Sequence, residues 1–134
     1  MNHPTLTTPE DVVRAFFKDW ETQGFVPAFE RWLAPDAIWE NTFPPCPKAE
    51  GRAAYMALLQ QYQAFSQMPF ARVEIRNIAV NGNTVLTERV DHLFSVDGTR
   101  HHSAPIAGTF VVENGLITRY ADYFDASQFT AMGD

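Results

Sequence analysis

Three ionisable side chains carry the chemistry that this sequence can perform. Glu88-Arg89-Val90-Asp91 and Tyr120-Ala121-Asp122-Tyr123-Phe124-Asp125 each lie in a stretch that otherwise reads as a half-buried β-strand. A strand presents alternate residues to opposite faces, so Arg89 and Asp91 share one side. If that side faces the interior, an arginine and a carboxylate are buried together, which is costly unless they pair. Asp122 is the natural third member. Two carboxylates around one arginine in an apolar hollow form a proton-handling arrangement, the equipment of acid–base catalysis.

Turn signals allow a guess at register. A two-residue turn at Asp97-Gly98 pairs Val96 with Thr99, which sets Asp91 opposite Ala104 and Arg89 opposite Ile106. A three-residue turn, Glu113-Asn114-Gly115 with a bulge, pairs Val112 with Leu116 and sets Ile106 opposite Asp122. Arg89, Ile106 and Asp122 then form one row across three strands, with the outer backbones roughly 10 Å apart. A two-residue turn at Asn114-Gly115 would instead set Ala107 opposite Asp122 and turn its carboxylate away. The pattern of Leu116, Tyr120 and Phe124 on the face of Asp122 favours the first choice. Burial of the charged face is not dictated locally. Leu86, Val90, Phe94 and Val96 make the opposite face the more apolar, so an exposed Arg89–Asp91 ion pair is the competing reading.

These strands need elements to position them. Thr8-Pro9-Glu10-Asp11 reads as a helix start, with Thr8 as the cap and Pro9 at the first turn. Val12, Val13, Phe16, Phe17 and Trp20 follow at helical spacing, and Gly24 can end the helix. A short helix is predicted from near Pro27 through Phe29, Trp32 and Leu33, then a strand over Ala37–Thr42. Pro44, Pro45 and Pro47 predict irregular chain from Phe43 to Glu50. A third helix spans Gly51–Gln67, with Tyr55, Leu58, Leu59, Tyr62 and Phe65 inward. Strands follow over Arg72–Val80, Thr84–Val96, Arg100–Val112 and Leu116–Asp125, separated by Asn81-Gly82-Asn83, Asp97-Gly98 and Asn114-Gly115. Helices first and a meander after them is an α+β pattern, with helices on one face of an antiparallel sheet.

Composition excludes several classes. The chain of 134 residues reads as one domain, residues 1–134, and its 46% apolar content argues against disorder. Eleven Phe, four Tyr and three Trp are enough to line a cavity as well as fill a core. A formal charge of −6 with no basic stretch speaks against nucleic acid and anionic membrane surfaces. Met1 to Pro9 is polar and lacks the apolar core of a secretory leader, and no apolar run has transmembrane length. The expectation is a cytoplasmic protein. Cys46 is the single cysteine, and without an evident base partner it is not expected to be a nucleophile. His101 and His102 point to opposite strand faces and make a poor metal pair, and His92 is expected at the surface or an interface.

Taken together, Thr87-Glu88-Arg89-Val90-Asp91, Asp122-Tyr123-Phe124-Asp125, the 33-residue spacing from Arg89 to Asp122, and Trp39-Glu40-Asn41 ahead of a proline-rich loop ending at Gly51-Arg52 carry a resemblance. Over most of its length the chain resembles the limonene-1,2-epoxide hydrolase family of the nuclear transport factor 2-like superfamily. The resemblance implies a curved mixed, mostly antiparallel β-sheet forming a cone, closed by three to four N-terminal helices, with a deep apolar pocket. It implies that Asp122 is the base that activates water, that Asp91 protonates the epoxide oxygen, that Arg89 bridges the two, and that Asn41 helps hold the water. Leu93, Ala104, Ile106, Phe124 and Phe129 are pocket residues by resemblance and core residues by default. It further implies no cofactor or metal, a small hydrophobic epoxide and water as reactants, and a homodimer. One position departs from the family. Trp39 stands where the type member has tyrosine, and an indole N–H donates but cannot accept.

Such residues suit epoxide opening. A base on the water and an acid on the ring oxygen, acting together, avoid a free hydroxide and a free alkoxide. Both carboxyls start near pKa 3.9, so keeping one protonated at neutral pH needs a shift of about 3 units, roughly 4 kcal/mol. Burial and a neighbouring carboxylate push in that direction. With Arg89 and one shared proton the cluster is neutral, the least costly state for an apolar hollow. The competing functions are a polyketide-cyclase-like or ketosteroid-isomerase-like enzyme and a non-catalytic ligand-binding domain, because fold alone does not decide function.

Overall fold

The computed structural model describes residues 8–130; the polar Met1–Thr7 segment lies outside them. Helix α1 (Pro9–Thr22) starts as its sequence predicts, with Thr8 Oγ1 accepting from Asp11 N at 3.1 Å. Helix α2 (Phe25–Trp32) leads directly into strand β1 (Leu33–Asn41). Strand β2 (Lys48–Glu50), helix α3 (Arg52–Ser66), and strands β3 (Phe70–Asn81), β4 (Thr84–Phe94), β5 (His101–Glu113) and β6 (Leu116–Tyr123) follow, then a short helix α4 (Ser127–Thr130). The architecture is α+β. Six strands form one curved, open, mostly antiparallel sheet in the order β2-β1-β6-β5-β4-β3, and the β1–β6 pair is parallel.

The core lies between the concave face of the sheet and the helices. Val12, Val13, Phe16, Phe17 and Trp20 form the buried stripe of α1. Phe16 meets Tyr120 edge-on at 5.7 Å and Phe17 meets Phe110 at 5.5 Å, so α1 lies over the middle of β5 and β6. Each such ring contributes about 1.5–3 kcal/mol by leaving water. Among the described residues, no helix is long and apolar enough to cross a membrane.

Three sequence expectations need correction. The segment before Gly51 is not irregular throughout: Lys48, Ala49 and Glu50 form β2 against Glu40, Trp39 and Ile38. The three prolines all precede Lys48, so the last three residues keep the N–H groups that a ladder needs. The β5–β6 register also differs. Asn114 (φ 54°) and Gly115 (φ 79°) both adopt positive φ, which makes a two-residue turn with Glu113 opposite Leu116. An extra residue, Thr118, then bulges from β6, because Val112 pairs with Ile117 and Val111 with Arg119. Asp122 therefore faces Gly108, not Ile106. Turn and bulge cancel in parity, so Asp122 stays on the inner side, while Ile117 is buried and Leu116 only half-buried. The β4–β5 register matches expectation, with Arg89 opposite Ile106 and Asp91 opposite Ala104. Its turn is longer than two residues: Ser95 N bonds Arg100 O, with Gly98 closing an inner turn onto Ser95 O.

Candidate active site

Arg89, Asp91 and Asp122 meet on the concave face, and all three are buried. On the more apolar side of β4, Leu86 is 47% exposed although Val90 is buried, whereas Arg89 is only 1% exposed. The reason is tertiary. Aromatic side chains from α1 cover the charged side, and partners from three strands satisfy it.

Arg89 grips Asp91 with two prongs, Nε to Oδ1 at 2.8 Å and Nη2 to Oδ2 at 3.2 Å. Nη2 also donates to Asp122 Oδ2 at 2.8 Å, and Nη1 donates to Thr87 Oγ1 at 3.0 Å. Thr87 in turn donates to the Gly108 carbonyl at 3.3 Å. Cζ of the guanidinium lies 5.0 Å from the centre of the Phe17 ring and 5.6 Å from that of Trp20, where the aromatic faces stabilise the cation. Burial alone would lower the pKa of Arg89, but the charges of Asp122 and Asp91 overcome it and hold the group well above its ordinary value.

Asp122 is the contrasting member. Burial raises its carboxyl above the usual range; the Arg89 charge opposes this and the Asp91 charge adds to it. Its Oδ2 accepts from Arg89 and, in a short hydrogen bond, from the Tyr120 hydroxyl. Its Oδ1 is buried with no hydrogen-bond partner. A carboxylate with one satisfied and one free oxygen is equipped to take a proton.

The parallel β1–β6 ladder sets Asn41 beside Asp122 and Trp39 beside Tyr120. Phe43 N donates to Asn41 Oδ1 at 2.9 Å and the Tyr62 hydroxyl donates to the same oxygen at 3.2 Å. That oxygen is fully used, which leaves the amide NH2 of Asn41 as the donor group. Trp39 Nε1 is buried without a partner. Trp39, Asn41 and Asp122 all line one cavity.

That cavity measures about 130 Å3 and its wall is largely aromatic. Leu93, Ile106, Phe124 and Phe129 lie on the wall with Asp91 and Asp122. Ala104 is fully buried in the cluster of Ile106 and Phe129, behind the wall. Sequence reasoning did not single out Thr87, Gly108, Tyr62 or Tyr120 as functional. Thr87 and Tyr120 each sit two residues from a charged member, the period-2 signal that would have found them. A glycine in mid-strand marks a close approach. Tyr62 gives no comparable signal.

The remaining candidates lie elsewhere. Cys46 is exposed, its thiol 3.5 Å from the Thr42 carbonyl. His92 bonds Ser103 Oγ at 2.7 Å and Glu74 at 3.0 Å on the outer face. The His102 ring lies tilted against that of Phe129 at 5.3 Å, and burial lowers its pKa. Among the described residues, no three His, Cys, Asp or Glu side chains are grouped to hold a metal ion.

Known proteins share this frame. Epoxide hydrolase EphG of Mycobacterium tuberculosis is 30% identical over 129 residues, covering 90% of this chain and 81% of its own. The structure of a LEH-like epoxide hydrolase from M. tuberculosis superposes with a TM-score of 0.72 at 27% identity, covering 96% of this chain and 91% of that one. The fold alone is shared with an NTF2-like protein of Burkholderia pseudomallei (TM-score 0.74, 16% identity, 92% and 95% covered). It is also shared with IdmH of Streptomyces antibioticus, a candidate polyketide cyclase (TM-score 0.66, 18% identity, 92% and 96% covered). The SnoaL-like domain matches residues 13–120, which takes in Arg89 and Asp91 and ends two residues before Asp122, and the chain belongs to that family.

Proposed function

We propose that the protein is an epoxide hydrolase that adds water to a small, hydrophobic, cyclic or terpene-like epoxide in one concerted acid–base step. The observation that carries the reading is Arg89 bridging two buried carboxylates, of which Asp122 keeps an unpartnered oxygen. The similarity to EphG supports the reaction class.

In this reading water lies between Asp122 Oδ1 and the N–H groups of Asn41 and Trp39. Asp122 takes a proton from the water as its oxygen bonds to a ring carbon from the side opposite the ring oxygen. The ring C–O bond breaks and that oxygen receives a proton from Asp91. The product is a vicinal diol inverted at the attacked carbon. One proton enters the carboxyl pair as another leaves, so the buried cluster keeps a constant charge. Arg89 touches both carboxylates and holds them in place throughout. The aromatic wall selects an apolar substrate and keeps bulk water from the cluster.

Turnover of a panel of racemic epoxides in oxygen-18 water tests this. One labelled oxygen per diol is the expected result. A product isomeric with its substrate and free of label would point to the cyclase or isomerase chemistry that such carboxyls can also perform. The resemblance further implies a homodimer, for which sedimentation equilibrium is the check.

A further inference from the structure

The proposed reaction leaves one buried polar group without a part. Tyr120 is 3% exposed, and its hydroxyl donates to the Asp122 oxygen that also accepts from Arg89 Nη2 at 2.8 Å. Oδ2 therefore has two donors upon it, while Oδ1 has none. We propose that Tyr120 is a positioning residue for the base: with Arg89 it occupies Oδ2, so that Oδ1 is the oxygen left to receive a proton.

The phenol is well placed for this. Its ring is stacked on Phe110 at 4.8 Å with a 12° interplanar angle, and lies near-parallel to Trp39 at 6.0 Å. Phe16 closes the third side edge-on. A ring held on three sides has no other rotamer to sample, so its hydroxyl stays on Asp122. Burial and the Asp122 charge hold the phenol well above its ordinary pKa, which keeps it a donor at working pH. Trp39 and Tyr120 are neighbours in the β1–β6 ladder. The hydroxyl that the family resemblance leads one to expect at position 39 is thus supplied one strand over, and it acts on the base rather than on the water.

The consequence has a definite sign. A donor on Oδ2 stabilises the ionised carboxylate and opposes the effect of burial. Removing it raises the midpoint of Asp122. The other titratable groups facing Asp122 are Arg89 and Asp91 from β4, and Tyr62 of α3 through Asn41; α1 and α2 present the rings of Phe16, Trp20 and Phe29. The Tyr120→Phe substitution leaves all of these in place and keeps the stacked ring.

The identity of Oδ1 as the acceptor of water's proton rests on the hydrolase reading; the hold of Tyr120 on Asp122 does not. The experiment is an NMR titration of protein labelled with carbon-13 at the aspartate carboxyls, for wild type and Tyr120→Phe, with Asp122→Asn assigning the Asp122 resonance. The epoxide pH–rate profile is recorded beside it. We expect the Asp122 midpoint to rise by about one unit in Tyr120→Phe, with the acid limb of kcat moving the same way, kcat down about tenfold, and KM within about twofold. Should Tyr120→Phe fail to fold, 3-fluorotyrosine incorporation, which makes the phenol a stronger donor, must lower the midpoint. An unmoved Asp122 resonance overturns the proposal whatever the epoxides do. A shifted resonance in a protein that forms no diol upholds the positioning role and overturns hydrolysis.

Discussion

Gly108 stands directly across the β5–β6 ladder from Asp122, and the space of its missing side chain is taken by the buried charges. A Cβ at that position would lie 2.4 Å from Arg89 Nη1 and 2.5 Å from Asp122 Oδ1. Neither can yield, because Arg89 is pinned by Asp91, Thr87 and Asp122 at once. Gly108→Ala is expected to cost about 1–3 kcal/mol of stability by overpacking. It should also lower kcat by about 100-fold through displacement of the carboxylate. Thermal melts and diol kinetics check both, and a native melting point would contradict the crowding.

Loss of either carboxyl should end turnover without unfolding the chain. Asp122→Asn and Asp91→Asn are each expected to reduce diol formation by about 10²–10⁴-fold. Chiral gas chromatography of the diol measures the loss, and far-ultraviolet circular dichroism verifies the fold. Appreciable diol from either variant would remove that residue from the proposed step.

Stability should respond to pH through Asp122. Its folded pKa is raised by burial, against an unfolded value of 3.8. The folded state then holds this proton more tightly than the unfolded state does. The stabilisation from that proton is full below the unfolded pKa and is lost as pH rises through the folded one. Asp122→Asn removes this term and leaves Arg89 and Asp91 as a neutral pair. The melting point of the variant relative to wild type should therefore climb as pH rises above that unfolded value. Differential scanning calorimetry over that range decides it; a gap that is flat or shrinking contradicts the raised pKa.

Trp39→Phe isolates one hydrogen bond. Phenylalanine retains an aromatic contact toward Phe29 and Tyr62, whose rings lie 4.9 and 5.6 Å from that of Trp39. What disappears is a buried N–H with no protein partner. A fall in kcat of about tenfold is expected if that N–H holds the reacting water, worth about 1–1.5 kcal/mol. Unchanged kcat with altered KM would make Trp39 a wall residue alone.

The legible and illegible parts of this molecule divide along physical lines. Amphipathic spacing and a capping threonine reveal α1, and alternation reveals β4 through β6, because these signals are local. The Arg89–Ile106 pairing is also legible, since the strands around Asp97-Gly98 keep their register although the turn itself is longer. The burial of Arg89 is not legible from β4. Hydropathy weighs each residue alone, whereas Asp91 and Thr87 on β4 satisfy Arg89 only together with Asp122 on β6, under covering rings from α1. Thr118 is illegible for a related reason. Its hydroxyl bonds Val111 O at 3.3 Å and Glu113 at 2.9 Å across the hairpin, so the bulge is stabilised by the strand opposite rather than by its own neighbours.

The parallel pairing of β1 with β6 has a kinetic meaning as well. Asn41 and Asp122 come together only when the chain between them has closed on itself, the costliest loop closure in the sheet. The β3–β4–β5 hairpins are local and can assemble ahead of it. In the proposed reaction, the donor to water and the base are thus brought side by side only when that ladder forms. Diol formation recovered during refolding is therefore expected to follow the docking of the first strand against the final one.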